Sequence, residues 1–218
     1  MTSESPPDIW KGQLLHFVCL ACLLVFVYAT WRHQGEPFPV AFWIAIACPI
    51  VHQVFVWLAW RFELQSGVTT RIMGFRGYVI CFFLLFGSRF VSLLVLSWLD
   101  RESLGLDTLP RTAITALLVV PGMYAAYSVK VYFGMARAAG ADHFDSEFRT
   151  RPLVREGIFR FTDNAMYAVA FLLFWAVAVA FNSTAALTVA GFSHVYIWVH
   201  YYSTERPDMV FLYAPNES

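Results

Sequence analysis

From Asn164 to Thr204 the chain runs for forty-one residues without an Asp, Glu, Lys or Arg. As a single helix that stretch would extend about 60 Å, twice the roughly 30 Å hydrocarbon core of a bilayer. Its only polar cluster, Phe181-Asn182-Ser183-Thr184, sits near the midpoint. The stretch therefore folds back as a helical hairpin, with legs of about Ala165–Ala180 and Ala185–Thr204. Whether the hairpin crosses the bilayer fully or only in part stays open.

Other uncharged stretches have the length of a single crossing. Gly12 to Trp31 gives twenty residues and Pro37 to Trp60 twenty-four, the latter with Pro49 inside. A third apolar stretch runs from about Tyr78 to Trp98 around Arg89, and a fourth from Thr112 to Val129 with a bend expected at Pro121-Gly122. Proline inside a membrane helix kinks it more often than it ends it. The composition agrees, since 59% of residues are hydrophobic and 14% charged, against roughly 45–50% and 25% in soluble chains. Such a chain cannot stay solvated as a disordered one. Fifteen Lys+Arg against fifteen Asp+Glu leave no bulk charge for nucleic acid. The expected fold is all-α: a polytopic membrane protein of four transmembrane helices plus a C-terminal helical hairpin.

Short loops rich in Lys and Arg stay in the cytoplasm. With an even number of crossings, Lys11, Arg61, Arg71, Arg76, the five arginines between Arg137 and Arg160, and Arg206 share one side. Only Arg32, Arg101 and Arg111 lie on the other. Both termini are thus expected to be cytoplasmic. The first span is too long and too closely followed by others to be a cleaved signal. No broken-helix repeat pair suggests a transporter.

Isolated polar residues carry less. Cys19-x-x-Cys22 resembles a metal or redox pair, but both thiols stand among Leu, Ala and Val and read first as packing residues. No metal site is expected. His16 and His194 read as locally hydrogen-bonded, whereas His52-Gln53 in the second span either finds such partners or lines a cavity. Arg89 is either an ion-pair or snorkelling residue, or an anchor for a lipid phosphate.

The connection from Gly134 to Asp163 concentrates chemistry. It is too long for a mere linker and has Phe144, Phe148, Leu153, Ile158, Phe159 and Phe161 to pack with. Gly134, Gly140 and Gly157 allow close backbone approach to a ligand. It runs through Gly157-Ile158-Phe159-Arg160-Phe161-Thr162-Asp163-Asn164-Ala165-Met166-Tyr167 into the hairpin, which ends in Glu205-Arg206-Pro207.

This arrangement resembles the phospholipid N-methyltransferases of the phosphatidylethanolamine methyltransferase type and, more distantly, the isoprenylcysteine carboxyl methyltransferases. The wider pattern is Arg-His-Pro-x-Tyr before a hairpin and Glu-Glu after it. The lipid branch has Asp-Asn-Pro-x-Tyr, which Asp163, Asn164 and Tyr167 match. The likeness covers about Ser128 to Tyr213. It implies S-adenosylmethionine held on the cytoplasmic side, with Asn164, Tyr167 and Glu205 at cofactor positions and, loosely, Gly134 and Gly140 in a cofactor segment. Two residues depart: Ala165 replaces the usual proline, and Arg206 the second glutamate, reversing a charge beside the cofactor. Residues 1–133 then form the N-terminal membrane helices, and 134–218 the catalytic part of one domain.

The residues support the same placement independently. A sulfonium donor wants an acid and aromatic faces. Glu205 follows Tyr201 at i,i+4 spacing, so both can meet one ligand, and Phe161 lies near the same boundary. Tyr201 and Tyr202 read equally as an interfacial belt. An amine acceptor must lose a proton, for which His143 and Asp142 are the expected helpers. Arg89 and Arg160 are candidate contacts to a lipid headgroup, although the loop arginines also satisfy the topology rule. The expected activity is methyl transfer to a membrane lipid amine, with phosphatidylethanolamine or a methylated derivative as substrate. Two alternatives remain: another lipophilic acceptor (thiol, carboxylate or prenylated compound), or a non-catalytic scaffold that kept the fold. The partners are the bilayer and its lipids; oligomeric state is not legible.

Overall fold

A computed structural model describes residues 5–213; the extreme termini, including positions 214–218 of the expected catalytic part, lie outside the described residues. Four helices are long and apolar enough to cross a membrane: α1 (Gln13–His33), α2 (Pro39–Ser66), α3 (Val68–Leu99) and α4 (Thr108–Ser128), which continues to Phe133 as a π-helical segment. A short α5 (Met135–Ala138) and three 3₁₀ turns make up the connection. The hairpin consists of a π segment (Met166–Ala170) running into α6 (Leu172–Ala180), then α7 (Thr184–His200) ending in a π segment (Tyr201–Glu205). Helix α8 (Arg206–Leu212) closes the described chain. Among the described residues there is no β-strand.

The expected hairpin is present and turns at Phe181-Asn182-Ser183. Asn182 adopts φ 57°, a left-handed conformation that Asn tolerates. Its second leg, Thr184–Glu205, is about 33 Å long, enough to cross; the first, Met166–Ala180, is about 22 Å and falls short of the full core. The tip is clasped by the α3–α4 connection. Asp100 accepts hydrogen bonds from the Ser183 hydroxyl (2.7 Å), the Ser103 hydroxyl (2.7 Å) and the Ala185 amide (2.9 Å). Glu102 accepts from the Asn182 side chain (2.8 Å) and from Arg111 (2.6 Å).

The junction between the second and third spans differs from the sequence reading. The segment around Arg71 and Arg76 is helical, because Gly67 (φ 64°) serves at once as the end of α2 and the start of α3. The early part of α3 is set off by a break at Gly74 (φ 66°, ψ 164°). Pro121 lies inside α4 without ending it, and Gly122 does more than permit a bend. A Cβ there would come within 2.9 Å of Leu173, so its absence lets α4 and α6 approach closely.

The core lies where α1, α2 and α3 meet the hairpin, and small residues such as Ala45, Ala178, Ala186 and Ala190 bring the backbones together within it. Large apolar residues on the outer faces, among them Leu14, Leu84, Val91 and Leu117, are exposed, as lipid-facing residues must be. α3 and α4 each pack on α6 rather than on one another. The N-terminal arm, the α2–α3 turn, the long connection and α8 meet at one end of the bundle, the loop end; the hairpin tip and Arg101, Arg111 and Glu102 mark the opposite, tip end.

Candidate active site

Three π-helical turns meet near the loop end, at the finish of α4, the start of the first hairpin leg and the finish of the second. Each widens its helix by one residue per turn, a feature frequent at functional sites. Beside them a cavity of about 310 Å³ is enclosed by α2, α3, α4 and the hairpin, with Trp60, Met135, Tyr167 and His200 on its wall and Phe82, Phe86, Phe171 and Phe174 deeper in.

Tyr167 and Glu205 join the two hairpin legs here: the Tyr167 hydroxyl donates to Glu205 Oε2. The Tyr201 ring stands 5.9 Å from that of Tyr167, and Trp198 6.0 Å from it. The structure thus brings Tyr167, Tyr201 and Glu205 together. Among the described residues only one Glu205 oxygen is engaged, leaving Oε1 for a ligand's ammonium. A carboxylate held by Tyr167, with the Tyr201 and Trp198 rings packed beside that tyrosine, fits a sulfonium amino acid.

Besides Tyr167, four polar side chains face the cavity: His52, Gln53, Arg89 and His200. All four are buried, and each has polar atoms that make no hydrogen bond among the described residues. The His52-Gln53 pair thus lines a cavity. Arg89 is 1% exposed, so it does not snorkel, and no carboxylate among the described residues pairs with it. It donates to His52 Nδ1 at 3.3 Å and lies over Phe171, 5.2 Å from the ring centroid. The expected local role does hold for His16, which accepts from the Tyr196 hydroxyl (2.7 Å) while its other nitrogen meets Gln13 Oε1 (2.9 Å).

Beneath the loop end sits a second polar group, built on Asp208. Arg61 and Asp208 are both 0% exposed, with Nε 2.8 Å from Oδ1. His143 Nε2 approaches the other Asp208 oxygen at 3.4 Å, and the His143 ring stacks on Trp60 with centroids 4.0 Å apart. Asp142 accepts from the Tyr213 hydroxyl (2.7 Å) and lies 3.7 Å from Arg137. Burial and the Asp142 carboxylate push the Tyr213 hydroxyl above its ordinary range. His143 and Asp142 tie the connection to α2 and α8, and neither is on the cavity wall. Asp208 escaped the sequence reading; a lone carboxylate after Arg206-Pro207 reads as a solvated helix start, and only burial reveals it.

The remaining expected residues disperse. Gly140 (φ 85°) lies against the Trp60 indole, where a Cβ would collide. Gly134 (φ 90°) turns the chain just before Met135 at the cavity. The Asn164 carbonyl accepts from the Tyr167 and Ala168 amides at 3.1 and 2.9 Å, starting the hairpin. Phe161 is 79% exposed and Arg160 is exposed, so neither reaches the cavity. Arg206 is exposed and lies over the Tyr202 ring (5.9 Å); its charge is turned away from Glu205 instead of crowding it. Ala165 is fully buried among Ala125, Val129, Ile158 and Phe159, which close the space beside it.

The chain is thus an all-α protein of membrane-crossing helices with a hairpin-built pocket at one end. Residues 110–216 match the family model described as phospholipid methyltransferase. Over those residues the chain is similar to the phospholipid methyltransferase family, and the resemblance carried by Asp163, Asn164 and Tyr167 is borne out. No curated protein and no solved structure matches the chain.

Proposed function

We propose that the protein transfers a methyl group from S-adenosylmethionine to the amine of a membrane lipid, phosphatidylethanolamine or a partly methylated derivative. The observation that carries this reading is Tyr167, on the wall of a cavity embedded among membrane helices, donating its hydroxyl to Glu205 of the other hairpin leg, within a segment that matches the phospholipid methyltransferase family model.

When bound, the cofactor supplies an activated methyl group. The chain's own residues do the rest. Glu205 Oε1 holds an ammonium, while Tyr167, Tyr201 and Trp198 offer ring faces to a cation. The apolar wall excludes water and fixes the acceptor, so that positioning supplies much of the rate. A neutral amine is the nucleophile, and its proton must leave. His200, on the cavity wall with both ring nitrogens unengaged among the described residues, is placed to take it. His143, clamped between Trp60 and Asp208, instead braces the connection. The loop end faces the cytoplasm, where the charge asymmetry puts it.

Incubating purified protein with labelled S-adenosylmethionine and phosphatidylethanolamine vesicles tests the reading. Label is expected in mono- to trimethylated lipid, and transfer is expected to fall at least tenfold in Glu205→Gln. Label appearing only in a thiol, carboxylate or prenylated acceptor would replace the substrate assignment. Undiminished transfer by the variant would remove Glu205 from the site.

A further inference from the structure

Arg89 poses a chemical problem that the methyl-transfer reading alone does not solve. Its guanidinium is always charged and carries five N–H donors in a fixed fork. Here it is buried, engages His52 through one nitrogen, and leaves Nε and Nη2 without a hydrogen bond among the described residues. Contact with the Phe86, Phe171 and Phe174 rings offsets part of the charge, but a buried cation without an anion is strongly disfavoured. Gln53, whose amide also makes no hydrogen bond, lines the same space.

We infer that this deep pocket binds the phosphate of the acceptor lipid, with Arg89 as its anchor and His52 and Gln53 beside it. The inference rests on the methyl-transfer reading and names the part of the substrate that fixes its register. Spacing supports it. Phe171, in contact with Arg89, follows Tyr167 by about one turn of the π-helical start of the hairpin, roughly 5 Å along the axis. In an ethanolamine phosphate the phosphorus and the amine nitrogen are four covalent bonds apart, roughly 5 Å. A phosphate on Arg89 therefore brings the amine up to Tyr167, Glu205 and His200. The order along the bilayer normal is also right for a lipid entering from the loop end: amine outermost, phosphate one turn deeper. The chains would leave sideways between α3 and α4, which both line the cavity and each pack more on α6 than on one another. The other anion at hand, the cofactor's own carboxylate, fits poorly, because the ammonium on the same carbon would be forced beside the guanidinium with no acid near it.

The test compares two acceptors in mixed micelles, dioleoyl phosphatidylethanolamine and a long-chain alkylamine that has no phosphate, using wild type, Arg89→Gln and Arg89→Lys. Arg89→Gln is expected to raise KM for the phospholipid at least tenfold, to leave the alkylamine unchanged, and to leave S-adenosylmethionine affinity within twofold; Arg89→Lys should fall between. Equal losses with both acceptors, an unchanged KM for the phospholipid, or weakened cofactor binding would each overturn it, the last by assigning the anion to the cofactor. A second arm needs no turnover. Dioleoyl phosphatidic acid should raise the melting temperature of wild type where dioleoylglycerol does not, and Arg89→Gln should abolish the difference. If wild type methylates nothing yet keeps this shift, the phosphate pocket stands and the methyl-transfer reading falls. If the variant does not fold, equal stabilisation of wild type by both lipids overturns the pocket on its own.

Discussion

Arg61 in α2 and Asp208 in α8 meet 2.8 Å apart with neither side chain exposed to solvent. The Arg61 guanidinium also donates to the backbone carbonyls of Asp8 and Lys11. One buried charge pair thereby pins the N-terminal arm, the second helix and the chain's last helix together under the site.

Removing one partner leaves the other buried and uncompensated, which costs about 3 kcal/mol. Asp208→Ala is expected to lose that much stability and to loosen His143 with it. The double variant Arg61→Met, Asp208→Leu should recover most of the loss, because volume is kept and no charge is stranded. Thermal unfolding in detergent reads both.

Gly140 is a second fixed point. Its backbone is left-handed and a Cβ would strike the Trp60 ring. Gly140→Ala is expected to destabilise by about 2 kcal/mol through backbone strain and displacement of the indole. Near-ultraviolet circular dichroism should show the disturbed Trp60–His143 stack, whereas Gly35→Ala, where nothing stands within 4 Å, should leave it unchanged.

The hairpin tip predicts a pH dependence. Hydrogen bonds from Asn182 and then Arg111 hold the Glu102 carboxyl below its ordinary range. A carboxylate lowered on folding stabilises above its unfolded pKa and loses that contribution as pH falls through the folded value. Hydrogen exchange at Leu104, whose amide donates to the Asn182 carbonyl at 2.8 Å, should accelerate as pH drops below about 4, after correction for intrinsic rates. Glu102→Gln should remove that pH step.

Orientation is testable by labelling. Single cysteines at Glu147 and Arg101, in a background with Cys19, Cys22, Cys48 and Cys81 replaced by Ala, should react with a membrane-impermeant maleimide from opposite faces of sealed vesicles, Glu147 from the cytoplasmic side. Labelling of both from one face would undo the topology.

The architecture was legible because its signals are local. Charge-free runs give the spans, and one polar tetrad gives the hairpin tip. Tyr167, Tyr201 and Glu205 were legible as a group, since a motif and an i,i+4 spacing both pointed to them. What escaped depends on contacts between distant segments. Nothing near Asp208 announces that Arg61, 147 positions earlier, will bury it. His200 stands at the same membrane boundary as Tyr201 and Tyr202, and only the packing of α2 and α3 over it shows that it faces a cavity. His143 reads as a proton acceptor in a polar loop, but its neighbours Trp60 and Asp208 come from elsewhere and clamp it. For Arg89, only the packed helices show that no carboxylate among the described residues pairs with it.

Titrating S-adenosylmethionine into the purified full-length protein by calorimetry tests the central claim most directly. The account predicts binding to wild type at micromolar concentration. Glu205→Gln should bind at least tenfold more weakly, a loss of about 1.4 kcal/mol or more, and Tyr167→Phe should be weakened to a smaller degree. No heat of binding at millimolar cofactor, or equal affinity in wild type and Glu205→Gln, would contradict it.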